Sequence, residues 1–401
     1  MSMSRIPYRD TGYFSTLICD LIEQHPALEA MIARHPSIET FAAQLEEKEA
    51  HYTEATRTEL VKAIETQYAN LPLSDEVSAN IRLLQDKKTF TITTGHQLNL
   101  FTGPLYFVFK IVSTINLCKQ LKARYPNNNF VPIYWMATED HDFEEISFFN
   151  FNGKKIKWSY ESKGAVGRLP VDNLSSLLDL FEGSIGTNSA ANKLKELIAA
   201  SYRSSASLAE ATQRLVHQLF SSSGLVILDA DTPDLKKLFI PYVRAELKES
   251  QCEKTVLASI DALQNDYSDQ YIPQVNPREI NLFYLTDDIR ERIVRTTEGY
   301  ATVDSKIVFS EASMQEEIET HPERFSPNVL MRPLYQEVIL PNLCYIGGGG
   351  EIAYWLQLKG FFQSQKVPFP ILLLRNSAVL VAGKTAKKIV KLDLDKQDFF
   401  L

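Results

Sequence analysis

A strand–helix–strand unit can be read directly from residues 88–150. Thr89-Phe90-Thr91-Ile92-Thr93 is a run of β-branched and aromatic residues, which predicts a strand. From Pro104 to about Tyr125, apolar residues recur at Val108, Ile111, Val112, Ile115, Cys118 and Leu121, a helical spacing. Gly103 and Pro104 fit the N-cap and first position of that helix, because the N–H that proline lacks would be unpaired there anyway. Val131-Pro132-Ile133-Tyr134-Trp135-Met136 predicts a second strand, which runs into Ala137-Thr138-Glu139-Asp140-His141-Asp142. Two strands joined through a helix should lie parallel with a right-handed crossover. The polar clusters at 94–104 and 138–145 then converge at the carboxyl ends of the strands, where α/β sheets place their ligands.

The remainder is organised around this unit. Residues 1–87 read as a helical N-terminal layer, with helices near Phe14–Ile22, Ile38–Leu45, Thr53–Tyr68 and Glu76–Leu84 and with Ser74 as a cap. Residues 88–170 form the first part of the core and close with a hairpin turning at Asn152-Gly153, a pair that tolerates the positive φ of a type I′ turn. Gly164 to Arg168 reads as a flexible loop carrying one cation. Residues 171–223 read as a helical insert, and 224–270 as a core strand, Leu225-Val226-Ile227-Leu228, followed by one long helix from about Asp234 to Gln264. Short strands at close spacing make 271–325 a small β-rich insert. The last part of the core, 326–401, holds Gly347-Gly348-Gly349-Gly350-Glu351 and a final strand, Ile371-Leu372-Leu373-Leu374. The expected class is α/β with a parallel-sheet core.

Several function classes are disfavoured. With 42 basic against 50 acidic residues the formal charge is −8, which argues against sequence-independent nucleic-acid binding. Cys19, Cys118, Cys252 and Cys344 are scattered without a CxxC pair and read as small buried hydrophobes in a reducing compartment. The N-terminus carries no apolar signal core and no stretch reaches membrane-spanning length, so a cytoplasmic protein with no membrane contact is expected.

The chemistry should lie in four places. Gly95-His96-Gln97 at a strand-to-helix turn can meet a phosphate with backbone N–H groups and a neutral donor, and Gly103 permits close approach. Glu139-Asp140-His141-Asp142 follows an apolar strand directly, a costly placement unless the residues face solvent or a ligand. It suits a carboxylate–histidine general base, a magnesium site or a clamp for an amine, and no zinc-type ligand spacing accompanies it. Gly347–Gly350 with Glu351 resembles a loop for phosphate or sugar approach, yet matches neither the Walker loop nor the dinucleotide fingerprint. Asn328 and Arg332, and Arg375-Asn376 after the last strand, set hydrogen-bonding groups beside apolar context, and the guanidinium suits a carboxylate or phosphate.

These stretches together resemble one family. Thr94 to Tyr106 is similar to the first signature of the bacillithiol biosynthesis cysteine-adding enzymes, and Pro132 to Ile146 to the second. Ser326-Pro327-Asn328-Val329 with Arg332-Pro333, and Gly347 to Trp355, resemble the third and fourth, in order, over roughly residues 5–401. The resemblance implies a Rossmann-like core related to class I aminoacyl-tRNA synthetases, with helical and small β-rich inserts. It also implies a ligase that joins L-cysteine to the amine of glucosaminyl malate, with ATP, and room for Mg, entering by analogy with adenylating enzymes. A homodimer is compatible with it. His96, Asp140, His141 and Asp142 are the catalytic candidates, with His141 as a base. Gly95, Gln97, Asn99, Thr102, Gly103, Glu139, Asn328, Arg332, Gly348, Gly349, Glu351, Arg375 and Asn376 are the binding candidates, and none is assigned to a metal. The synthetase class uses a pair of histidines where His96 stands alone here, and no lysine–serine signature follows near the C-terminus. The family's coiled-coil region is expected to be absent from a chain that stops at Phe399-Phe400-Leu401. A non-catalytic module that holds a nucleotide or sugar acid for an assembly is the alternative reading.

Overall fold

The computed structural model describes residues 4–267, 271–395 and 397–400, so residues 268–270, which end the segment read as core strand and helix, lie outside the described residues. In chain order the strands are β1 (Thr89–His96), β2 (Asn129–Met136), β3 (Phe148–Phe151), β4 (Lys154–Lys157), β5 (Val226–Asp229) and β6 (Leu282–Leu285). They continue with β7 (Arg290–Thr296), β8 (Gly299–Thr302), β9 (Val308–Phe309), β10 (Phe325–Pro327), β11 (Asn342–Gly347) and β12 (Ile371–Leu374). Five of them form one sheet in the order β12-β11-β1-β2-β5, and every pairing in it is parallel. The chain winds from β1 through β2 to β5 in one direction and from β11 to β12 in the other, so the topology switches between β1 and β11. Open α/β sheets open a crevice at that point, beyond the strands' carboxyl ends.

Alternation along the strands explains the layers. Phe90 and Ile92 of β1 and Cys344 and Ile346 of β11 pack with Leu117, Cys118 and Leu121 of the helix Tyr106–Arg124 and with Phe41 and Leu45 of the helix Phe41–His51. Burying each such large side chain contributes about 1.5–3 kcal/mol. Other polar positions of β1 lock the sheet instead: the Thr93 hydroxyl donates to Asn342 Oδ1 at 2.8 Å. Asn342 in turn donates to Glu337 (2.6 Å), whose other oxygen meets the fully buried Lys48 ammonium at 3.1 Å. Glu337, one of the polar residues flanking Arg332 in sequence, is therefore a strut between the N-terminal layer and the sheet.

Local expectations were met in most elements and corrected in three. Ser74 caps the helix Asp75–Leu83 by accepting from the Val77 N–H, and Asn152 and Gly153 turn the β3–β4 hairpin with φ of 49° and 76°. The helix after β1 starts only at Tyr106 with Leu105 as its cap; Gly103 has φ 65° and belongs to the preceding turn, not to the helix. The single helix expected from Asp234 is three helices, Pro233–Lys237, Ile240–Glu249 and Gln251–Tyr267. Pro241, which lacks the N–H to continue an earlier helix, sits in the first turn of the second, and Ser250 breaks it from the third in a left-handed conformation. Finally, the segment read as a return to the core begins as an edge of the small antiparallel sheet, order β10-β6-β7-β8-β9, because Phe325–Pro327 pair with Leu282–Tyr284. All four cysteines are buried and free. Among the described residues no helix is long and apolar enough to cross a membrane.

Candidate functional site

At the switch point, β1 ends in Thr94-Gly95-His96 beside the glycine run that follows β11. The Thr94 hydroxyl donates to the Ile346 carbonyl at 2.7 Å. A Cβ on Gly95 would come within 3.3 Å of the Tyr345 hydroxyl, so the glycine sets how closely the two strands' ends approach. Lys110, on the buried face of the following helix, donates to the Gly95 carbonyl at 2.8 Å and forms an ion pair with Glu351. Glu351 also accepts from the Tyr345 hydroxyl (2.6 Å) and from the Gly348 N–H (2.8 Å), which fixes the start of the helix Gly349–Trp355. Burial alone would raise its carboxyl, but Lys110 and these donors hold it below the usual range.

Two polar atoms in this place have no partner among the described residues. His96 Nε2 is buried and unpaired, with the ring set against Tyr106 and Phe107 at 5.5 and 5.1 Å between centroids. Burial, reinforced by the charges of Lys110 and Arg375, pushes its pKa down to about 3, so the imidazole is neutral at pH 7. Arg375 stacks over Tyr106 at 4.8 Å and uses one terminal nitrogen on the Asn376 carbonyl and the Ser377 hydroxyl, while its Nε is also buried and unpaired. A Cβ on Gly348 would lie 3.7 Å from that Nε. Buried donors and acceptors are almost always satisfied, so two orphans around a glycine loop fit a polar ligand.

The second cluster is braced to the first. The Gln97 amide donates to Asp140 (3.1 Å) and Glu145 (2.6 Å), and Asn99 donates to the Glu145 carbonyl (3.1 Å). Phe101, Thr102 and Gly103 all have positive φ, at 54°, 76° and 65°. A Cβ on Gly103 would sit 2.6 Å from Asn99 Cβ. Gly103→Ala should therefore lower stability by about 1–3 kcal/mol in urea denaturation and release Asn99 from its bond; a change within a few tenths would show that the turn relaxes freely.

Glu139 to Asp142 do not converge. Glu139 turns inward to the buried Lys236, which also donates to the Phe325 carbonyl at 2.8 Å. Asp140 faces Gln97; burial pushes its carboxyl up, but Gln97, Arg290 and the backbone N–H of His141 outweigh burial and hold it well below the ordinary range. His141 Nδ1 meets Arg290 at 2.8 Å, and Asp142 is exposed. Among the described residues no three or more His, Cys, Asp or Glu are gathered as a metal-binding set. Nearby, burial and the charge of Asp231 push Asp229 up to about 6, and Arg168 is held by both oxygens of Asp231 rather than lying free in a loop.

The candidates after β10 divide. Arg332 lies over Trp135, Tyr345 and Trp355 at 5.7, 5.6 and 6.0 Å and donates only to neutral oxygens, Gln336 at 3.1 Å and Tyr354 at 3.4 Å. No carboxylate pairs with it among the described residues. Asn328 is spent on structure: its Oδ1 accepts from the Leu330 and Met331 N–H groups and its Nδ2 donates to Asn281. Gly349 packs against Phe14 and Ile18, and Asn376 is exposed.

Four functional neighbours escaped the sequence: Lys110, Arg290, Lys236 and Tyr345. Lys110 alone left a signal, a lysine one residue before Ile111 on the apolar stripe that Phe107, Ile111 and Ile115 define. Arg290 lies on a strand where charged residues alternate without a visible purpose, and only the tertiary fold brings it to His141.

Comparison with known sequences bears on the same residues. A family model described as "Bacillithiol biosynthesis BshC, N-terminal Rossmann-like domain" matches residues 1–376. The proteins named "Putative cysteine ligase BshC" of Flavobacterium johnsoniae and Flavobacterium psychrophilum are 51% and 53% identical over 395 and 397 residues. These matches cover 98% and 99% of this chain and 74% of each relative. The protein of the same name from Cytophaga hutchinsonii is 37% identical over 400 residues, all of this chain and 74% of its own length. With the matched residues running through both strand ends and the glycine loop, the chain belongs to the bacillithiol biosynthesis BshC family and carries its Rossmann-like domain.

Proposed function

We propose that this chain is a ligase that adds L-cysteine to the amine of glucosaminyl malate, with ATP activating the cysteine carboxylate. The observation that carries the reading is the pair of buried atoms without hydrogen-bond partners among the described residues, His96 Nε2 and Arg375 Nε, beside the glycines at the switch point. Such a place fits phosphate oxygens, met by the two unpaired side-chain nitrogens where Gly95 and Gly348 carry no Cβ to block the approach. Arg332, a guanidinium held among three rings with no anion, fits a carboxylate, which either cysteine or malate brings. Amide formation needs the carboxylate oxygen to leave, and ATP is the reagent that accepts it. The chain's part is to hold the carboxylate and the amine together and to exclude water, since orientation alone is worth several kcal/mol of barrier.

Mass spectrometry of a reaction holding the protein, L-cysteine and glucosaminyl malate tests this directly. The cysteinyl amide should form with ATP and magnesium and fail to form without ATP. Thermal stabilisation by ATP or by glucosaminyl malate with no product under any condition would overturn the reading and favour the binding module.

A further inference from the structure

We infer that Arg290 is a positioning residue that fixes the tautomer of His141, so that His141 offers an Nε2–H donor to the crevice and does not serve as a base. The argument starts from hydrogen-bond capacity. A guanidinium can only donate, and a terminal nitrogen of Arg290 lies 2.8 Å from His141 Nδ1. Nδ1 must then be the acceptor, which places the single proton of a neutral imidazole on Nε2.

The competing arrangement is a proton on Nδ1 directed at Asp140. The geometry disfavours it. Asp140 Oδ1 lies 3.6 Å from Nδ1, beyond hydrogen-bond range, and already accepts from the backbone N–H of His141 at 2.8 Å. The other oxygen, Oδ2, is occupied by Gln97.

Arg290 is itself held firmly enough to impose this. Its Nε donates to the Ser326 hydroxyl at 3.0 Å and its remaining terminal nitrogen to the Pro327 carbonyl at 3.1 Å, while the fork stacks on Phe283 at 4.1 Å. Those partners belong to β6 and β10, so the small antiparallel sheet delivers one fixed donor to the loop that follows β2 in the core. The His141 ring also rests against Phe283, at 5.5 Å between centroids. Its side chain is 50% exposed, and no described residue bonds its Nε2, which leaves that N–H for a ligand oxygen. A neutral donor aimed at developing negative charge stabilises an oxyanion rather than removing a proton. This inference rests on the ligase reading for its chemical meaning, while its physical core, the tautomer, is measurable without turnover.

The test is nitrogen NMR of protein labelled at histidine, with the His141 signals assigned from the loss seen in His141→Gln. In the wild-type protein Nε2 should report as protonated and Nδ1 as an unprotonated acceptor. Arg290→Met, which has no donor, should abolish that pattern, and Arg290→Lys, which keeps one, should retain it in part. A proton on Nδ1 in the wild-type protein, or a pattern unchanged in Arg290→Met, overturns the inference whether or not either variant is active. If ligation is observed, His141→Gln, which keeps an amide donor and cannot act as a base, should stay within about tenfold of wild type, whereas His141→Ala should lose on the order of 100-fold or more, as when an oxyanion donor is removed. Equal losses in the two variants would overturn the donor role, and absence of ligation in every protein would fall on the ligase reading alone.

Discussion

Lys110→Met is expected to destabilise the protein by about 3–5 kcal/mol, the usual consequence of removing one member of a buried ion pair. The ammonium joins the carbonyl of Gly95, the penultimate residue of β1, to the Glu351 carboxylate that opens the helix after β11. Methionine matches its length but leaves Glu351 charged against only Tyr345 and the Gly348 N–H. Urea denaturation at pH 7 measures the loss. Adding Glu351→Gln to Lys110→Met should recover much of it, because the uncompensated charge is the main penalty, and a neutral amide can accept from the Gly348 N–H while its NH2 donates to the Tyr345 hydroxyl oxygen. The pH dependence has a definite sign. The folded-state carboxyl of Glu351 is held below its unfolded value, so its contribution is complete above the unfolded pKa and is lost as pH falls towards the folded one. Lys110→Met should flatten that acidic limb. A loss under about 1 kcal/mol, in the range of exposed pairs, would mean that the two halves of the crevice are not clamped by this lysine.

How far the sequence could be read depended on the range of the interaction that decides each feature. The β1–helix–β2 unit was legible because its period and its bounding polar residues are local, and the Asn152-Gly153 turn because its φ angles select those residues. The glycine loop at 347–350 could be found but not placed: only the pairing of β11 beside β1 sets it against Gly95 and His96. Position in sequence was misleading at Glu139 and Asn328. Both looked available, and both are taken by long-range partners, Lys236 and Asn281. His141 shows the same limit, since its neighbours Asp140 and Asp142 suggested a base while the residue that governs its proton comes from 149 positions away.

Arg332→Gln should weaken binding of a carboxylate substrate by about 30-fold to several thousand-fold, corresponding to the 2–5 kcal/mol typical of truncating one side of a buried charge pair. The free protein should tolerate the change, since Gln336 and Tyr354 are neutral partners and lose only ordinary hydrogen bonds. The cage explains why the residue is arginine. Trp355 stacks on Tyr345 at 4.6 Å, and together with Trp135 they present faces that attract a flat cation without neutralising it. Charge is thereby retained for a ligand instead of being spent on an internal carboxylate. Arg332→Lys keeps the charge and loses the planar fork, so it should fall between the wild type and Arg332→Gln. Calorimetric titration of each variant with L-cysteine and, separately, with glucosaminyl malate identifies which carboxylate the guanidinium receives, because only that ligand should lose affinity. Unchanged affinity for both, with lowered stability, would make Arg332 a packing residue of the aromatic cluster and leave the carboxylate to be held elsewhere.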